Sequence, residues 1–255
     1  MPKPTSLSKI PNVFQLLQTS LAVYRDNFLT IAGYVTWLLI PYLGLILLDL
    51  APADHWGVIT SQLLLNFIQA LLWLWIIIIL VTLIRGWINK KPTSDEQVMV
   101  DAWRLIIPLA VIAFIQSLII VGGLIFFVIP GLIFFVWYSF SQLSVILDKQ
   151  RDLKALAFSR ELSRGRFWLV AWQLAGGPLI FLTLFSLILG LITATLTPLF
   201  GLDPVALDLA IQAGHTPIWM SVISTLSETF IVAPILLIYV TLLYEYLKKG
   251  KVVKK

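Results

Sequence analysis

Apolar residues fall along this chain in long unbroken runs, not in the alternating or one-sided patterns of water-facing elements. Residues 63–84 and 105–147 carry few polar side chains, and a helix needs about 20 apolar residues to cross the hydrocarbon core of a bilayer. Inside lipid a spanning segment must satisfy its own backbone hydrogen bonds, which leaves helices or closed barrels. Continuous runs, as opposed to short alternating segments, select helices. The pattern places six spans near 28–49, 58–84, 105–121, 124–147, 167–197 and 217–247. The run 105–147 is roughly twice the length of one crossing, and Val121-Gly122-Gly123 offers a tight turn to divide it. The expected fold is all-α: a polytopic six-helix transmembrane bundle over 28–247, with a leader at 1–27 and a basic tail at 248–255.

Shorter patterns lie between the runs. Residues 11–26 read as an amphipathic helix, with Val13, Phe14, Leu16, Leu17, Leu21, Val23 and Tyr24 on one face and Pro11 in its first turn. Such a helix lies flat at a membrane interface. A polar helical stretch also precedes span 3 at Ala102-Trp103-Arg104-Leu105, and another precedes span 5 at 151–164. The expectation is three repeats, each an interfacial helix followed by a hairpin of two spans. The first span begins near Phe28 behind a polar leader with no small-residue cleavage site, so it reads as an uncleaved anchor.

Charge then orients the bundle. Only 12% of residues are charged against 59% apolar, about half the charged share of a soluble domain. All 18 lysines and arginines fall in the leader, in the 85–104 and 149–166 loops, or in the tail. The opposite loops hold Asp49, Asp54, Asp203 and Asp208. Basic loops stay on the cytoplasmic side, so both termini are expected there, in a bacterial inner (plasma) membrane. The net charge of +5 is then a topology signal and an attraction to membrane lipids. No motif for nucleic-acid binding accompanies it. With no cysteine in the chain, thiolate chemistry and cysteine metal sites are excluded.

Candidate chemistry centres on Glu228, the acidic residue that cannot be assigned to a loop or helix end. It shares a helical face with Ser221, Ser224 and Thr225. Span 2 carries a polar stripe of Gln62, Asn66 and Gln69, and span 3 carries Gln116 and Ser117. Ionisable groups within a membrane are functional candidates by default, and these stripes are expected to meet in a crevice. Pro130-Gly131 and Pro234 are expected helix breaks of the sort that line transporter sites. Trp37, Trp56, Trp87, Trp103, Trp168 and Trp219 read as interfacial anchors. His55 and His215 have no metal-site spacing, and the chain lacks HExxH, GxSxG and a glycine-rich phosphate loop. No enzyme activity, cofactor or metal is expected.

One stretch carries a resemblance. Ile129-Pro130-Gly131, Val145-Ile146-Leu147-Asp148, Ala155-Leu156, Ser159-Arg160-Glu161-Leu162 and Gly165-Arg166-Phe167-Trp168, together with the terminal Leu242–Lys248 segment, resemble the bacterial membrane-domain family named after glycerophosphoryl diester phosphodiesterase and the related YciC-like inner-membrane proteins. The resemblance covers residues 129–170 best. It implies a polytopic bacterial membrane protein without an assigned activity, and the paired histidines and metal-binding carboxylates of the soluble phosphodiesterase have no counterpart here. The motif is expected to form an elbow, with a partly buried helix at 151–164 and a turn at Gly165. Two functions follow. The first is a non-enzymatic scaffold or regulatory partner of other membrane components, through a protein partner or as a homo-oligomer. The second is a transporter or lipid-handling protein that uses the crevice around Glu228.

Overall fold

Each span folds as one helix or as successive helical pieces. Six stretches are long and apolar enough to cross a bilayer: Phe28–Leu48, Trp56–Asn89, Glu96–Phe126, Val128–Asp148, Phe167–Leu196 and Ile218–Gly250 (spans 1 to 6). The computed structural model describes residues 11–49, 56–91, 94–200, 212 and 217–252, and no strand occurs among the described residues. Helix α1 (Val13–Asp26) comes first. Span 1 is α2 (Phe28–Val35), a 3₁₀ turn (Thr36–Leu38) and α3 (Leu39–Asp49). Spans 2 and 3 are α4 (Trp56–Asn89) and α5 (Asp95–Phe126). Span 4 is α6 (Val128–Tyr138) and α7 (Ser141–Asp148), and it is followed by α8 (Leu153–Ser163). Span 5 is α9 (Phe167–Leu196). Span 6 is α10 (Ile218–Ser227), a π-helical turn (Glu228–Val232) and α11 (Ala233–Val252).

The order of one leading helix followed by two spans recurs three times, with different joints. Asn27 alone separates α1 from span 1, the second leader runs unbroken into α5, and residues 164–166 separate α8 from span 5.

The leading helix α1 starts two residues later than the pattern predicts. Asn12 caps it: its Oδ1 accepts from the Gln15 N–H at 2.8 Å, and the Gln15 side chain accepts from the Asn12 N–H at 3.2 Å. Pro11 therefore lies outside the first turn. Its carbonyl accepts from Gln173 Nε2 of span 5 at 2.8 Å. Val13, Leu16 and Leu17 are buried against the bundle, whereas Phe14 and Leu21 are exposed. The predicted apolar face is thus split between protein and surroundings.

The turn between spans 3 and 4 is also displaced. Helix α5 continues through Gly122 and Gly123 to Phe126, and the reversal is made by extended Phe127 (φ −159°, ψ 143°). The glycines serve close approach instead. A Cβ on Gly123 would lie 3.0 Å from the Gly131 Cα, and one on Gly131 would lie 2.8 Å from the Leu124 nitrogen. Helices α5 and α6 therefore touch backbone to backbone, which only small residues permit. Pro130 is the third residue of α6, in the first turn, where no intrahelical N–H is required. The Pro130-Gly131 pair is a packing device and not a helix break.

Packing is uneven along the bundle axis. Most residues in 76–84 of α4, and Ala102, Leu109 and Ile112 of α5, are buried together with Phe140, Val145, Tyr239 and Leu243, all toward the basic end. The far halves of spans 2, 3 and 5 expose Leu63, Phe67, Phe114, Leu118, Leu187 and Leu191. Where lipid is the solvent, apolar side chains gain little by leaving hydrocarbon for one another, so tight packing needs small residues or polar contacts. Both occur at the basic end. There Gly177 of span 5 admits the Tyr239 ring of span 6, whose hydroxyl donates to the Gln173 carbonyl at 2.8 Å.

Candidate functional site: a polar crevice between spans 1, 2 and 6

The polar stripes of spans 2 and 6 do meet. Asn66, Gln69, Thr225 and Glu228 line one crevice of ≈ 490 Å³, joined by Thr229 and by Tyr42 of span 1. Helical spacing explains the set. Asn66, Gln69 and Trp73 stand three and then four apart on α4, and Glu228 and Thr229 follow Thr225 by three and four residues on span 6, so each group faces one way. Glu228 is exposed at the crevice, and no lysine, arginine or histidine among the described residues lines it. Among the described residues, neither the Glu228 carboxylate nor the Gln69 amide has a hydrogen-bond or ion-pair partner. Asn66 spends one donor on its own helix, from Nδ2 to the Gln62 carbonyl at 2.8 Å.

The remaining predicted members fall beside the crevice. The Ser221 carbonyl accepts from the Tyr42 hydroxyl at 3.4 Å, tying span 1 to span 6. Ser224 contributes its carbonyl to the Glu228 N–H. Neither serine hydroxyl lines the cavity, and neither does Gln62. Gln116 and Ser117 lie elsewhere, in a separate ≈ 220 Å³ recess with Gln142. There Gln142 Nε2 donates to Gln116 Oε1 at 3.4 Å. Asp54, Asp203, Asp208, His55 and His215 lie outside the described residues.

Span 6 carries its distortion at the crevice. Pro234 does not break the helix; the turn ahead of it widens instead. The Ala233 N–H reaches back to the Glu228 carbonyl in π-helical fashion. Proline has no N–H to offer the carbonyl four residues earlier, which is Phe230. That carbonyl accepts from the Tyr24 hydroxyl of α1 at 2.8 Å. The bulge is thus stabilised from outside its own helix. It begins at Glu228, and π-bulges of this sort concentrate at functional sites.

A second, apolar groove of ≈ 280 Å³ adjoins the crevice and shares Trp73 and Ala233 with it. Ile76, Ile77 and Leu80 of α4, Leu143 and Ile146 of α7, and Leu237 and Val240 of α11 line it. The sequence stripes give no sign of this groove, because its walls are mostly ordinary apolar residues drawn from four spans, 1, 2, 4 and 6.

Two further clusters hold the basic end together. The first is the elbow. Span 4 is interrupted at Ser139–Phe140, and Ser159 of α8 fills the gap: the Phe140 N–H donates to Ser159 Oγ at 3.1 Å, and that hydroxyl donates to the Trp137 carbonyl at 2.7 Å. Arg160 stacks over the Trp137 ring at 4.3 Å. Gly165 takes φ +76° at the turn into span 5, a conformation glycine adopts without strain. The expected partly buried helix and glycine turn are both present.

The second cluster is ionic, and the sequence reading missed it. Arg85 Nε lies 3.2 Å from Glu245 Oε1, and Arg85 Nη2 lies 3.6 Å from Asp148 Oδ1. Lys248 Nζ and the Tyr244 hydroxyl also contact the Asp148 carboxylate. Two cations and two anions thus cancel across spans 2, 4 and 6. Glu245 and Lys248 stand three apart on one helical face, but nothing in their local sequence shows that both reach spans far away in the chain.

No family model matches this chain, and neither a curated protein nor a solved structure is significantly similar to it.

Proposed function

We propose that this membrane-spanning helical protein handles a lipid-like amphiphile, seating its polar end in the crevice at Glu228 and its hydrocarbon in the adjoining groove. The observation that carries this reading is the contiguity of the two cavities: a polar mouth, whose Glu228 carboxylate and Gln69 amide have no partner among the described residues, opens past Trp73 and Ala233 onto a mostly apolar slot with only Ser139 and Gln142 as polar lining residues. Depth is consistent with it. Glu228 precedes Lys248 by 20 residues of helix, about 30 Å, which is the thickness of the hydrocarbon core. With the basic end at the cytoplasmic headgroups, the crevice lies at the headgroup level of the other leaflet. The inner-membrane setting, the cytoplasmic termini and kinship with the phosphodiesterase membrane-domain family belong to the same proposal. The last of these rests on the elbow at residues 129–170.

Native mass spectrometry of gently solubilised protein tests it. Wild type is expected to retain a lipid-sized adduct, and Ile77→Trp, which fills the groove, is expected to lose it. Equal adducts, or none in either, would overturn the reading. The scaffold alternative has one observation in its favour. The most apolar stretch of span 5 has none of its residues buried, leaving a face where a second copy or a partner helix would seat. Disulfide cross-linking of Leu187→Cys between copies tests that reading separately.

A further inference from the structure

We propose that the crevice is built for a cationic headgroup, so that the ligand class is an amphiphile bearing an ammonium group and no compensating anion. This rests on the amphiphile reading above and names its headgroup. Among the described residues, Glu228 is the only charged one lining the cavity. An anionic headgroup would face a carboxylate with no basic partner, and like charges within a few ångström at reduced dielectric repel strongly. A zwitterionic phospholipid would place its phosphate in the same position, with amides and hydroxyls but no cation to meet it. An ammonium group has the opposite fit. Glu228 supplies the counter-charge, Asn66, Gln69, Thr225 and Thr229 supply neutral oxygen acceptors, and the rings of Tyr42 and Trp73 border the cavity. Aromatic faces attract desolvated cations. The salt cluster at the basic end shows the contrast within one chain: there each carboxylate has an arginine or lysine beside it, whereas Glu228 has none among the described residues.

Position adds to composition. Glu228 starts the π-helical turn, and its own carbonyl is engaged by the Ala233 N–H. The carboxylate is therefore carried on a turn whose shape is held by Pro234 and by the Tyr24 hydroxyl on Phe230. A tail leaving the headgroup site passes between Trp73 and Ala233 into a groove with no charged lining residue among the described ones. One hydrocarbon chain, directed toward the basic end of the bundle, suits that slot.

The test uses the full chain in phosphatidylcholine nanodiscs with three probes that share a tail: hexadecylammonium, hexadecanol and hexadecyl phosphate. Hexadecylammonium is expected to bind at least about tenfold tighter than hexadecanol, and hexadecyl phosphate more weakly than either. Glu228→Gln should erase the preference for the ammonium over the alcohol, with melting unchanged because the side chain is exposed. Gln69→Lys places a cation in the crevice and should reverse the order in favour of the phosphate. If all three probes bind equally, and Ile77→Trp abolishes that binding, the amphiphile reading stands and the cationic assignment falls. If no probe binds to wild type, both fall.

Discussion

Arg85 is the sharpest place to perturb the packing at the basic end. Its guanidinium faces two carboxylates that differ in their alternatives. Asp148 also has Lys248 and the Tyr244 hydroxyl. Glu245, only 7% exposed in its side chain, has Arg85 alone as its ionic partner among the described residues, and its Oε1 makes no hydrogen bond. Arg85→Met therefore strands a buried carboxylate. Breaking a buried pair in this way costs about 3–5 kcal/mol. The arginine is one-third exposed, so solvent screening reduces the expected loss to about 2–3 kcal/mol. Glu245→Gln leaves Arg85 with Asp148 and with the Leu147 carbonyl, and about 1 kcal/mol is expected there. The pair Arg85→Met/Glu245→Gln removes the stranded charge and should recover a good part of the single-variant loss. At roughly 2–4 °C per kcal/mol for a chain of this size, Arg85→Met should melt about 5–10 °C below wild type in detergent, with the double variant above it. Strict additivity of the two single losses would refute the stranded-charge argument, as would an Arg85→Met melt indistinguishable from wild type.

Three other outcomes follow from local geometry. Gly177→Ala would drive a methyl into the fully buried Tyr239 ring, costing about 1–3 kcal/mol, whereas Gly190→Ala meets nothing within 4 Å and should melt at or above wild type; comparison of the two in one thermal series checks it. A cysteine at Ser159, a site with no exposed surface, should resist maleimide labelling in the native protein and label fully once denatured. Tyr24→Phe leaves the Phe230 carbonyl unpaired beside Pro234, at about 1–2 kcal/mol. Burial raises the Tyr24 pKa, so its contribution is intact below about pH 10 and declines as pH rises beyond that. Stability measured from pH 8 to 11 should therefore fall less steeply in Tyr24→Phe.

Much of this is legible in the amino-acid sequence itself. Span number followed from run length and from the one-sided placement of lysine and arginine, because lipid tolerates few solutions. Asn66, Gln69, Thr225 and Glu228 could be picked as one site because polar side chains are conspicuous on apolar helices and helical spacing says which share a face. Other features needed three dimensions. Gly122-Gly123 looks like a turn in one dimension, yet glycine at close approach and glycine in a turn are identical letters; only the facing Gly131 separates them. Pro130 and Pro234 look equally disruptive, but one lies in a first turn and the other beside a tyrosine that arrives from α1. The groove was invisible because Ile76, Leu143 and Leu237 differ in nothing but their neighbours from residues that face lipid. Arg85, Asp148, Glu245 and Lys248 read as scattered topology charges, since nothing local reveals that three spans converge on them.

The two ends of the bundle have different energetics, and the crevice opens at the far one while the groove runs from it toward the basic end. At the basic end Gly177, Ser159 and the Arg85–Asp148–Glu245–Lys248 cluster make contacts that lipid cannot replace. At the far end, spans 2, 3 and 5 present leucine, isoleucine and phenylalanine outward, and separating such helices exchanges side-chain contacts for equivalent lipid contacts. Apart from the glycine-packed pair α5 and α6, widening the far end is therefore cheap, and a hydrocarbon tail can enter laterally without disturbing the ion cluster. Entry and folding should then separate by mutation. Arg85→Met should lower the melting temperature while leaving the Glu228-dependent preference for hexadecylammonium within about twofold of wild type, measured below both melting points. Loss of that preference in Arg85→Met would mean that the crevice is shaped through the basic end, and the two halves of the bundle would have to be treated as one cooperative unit.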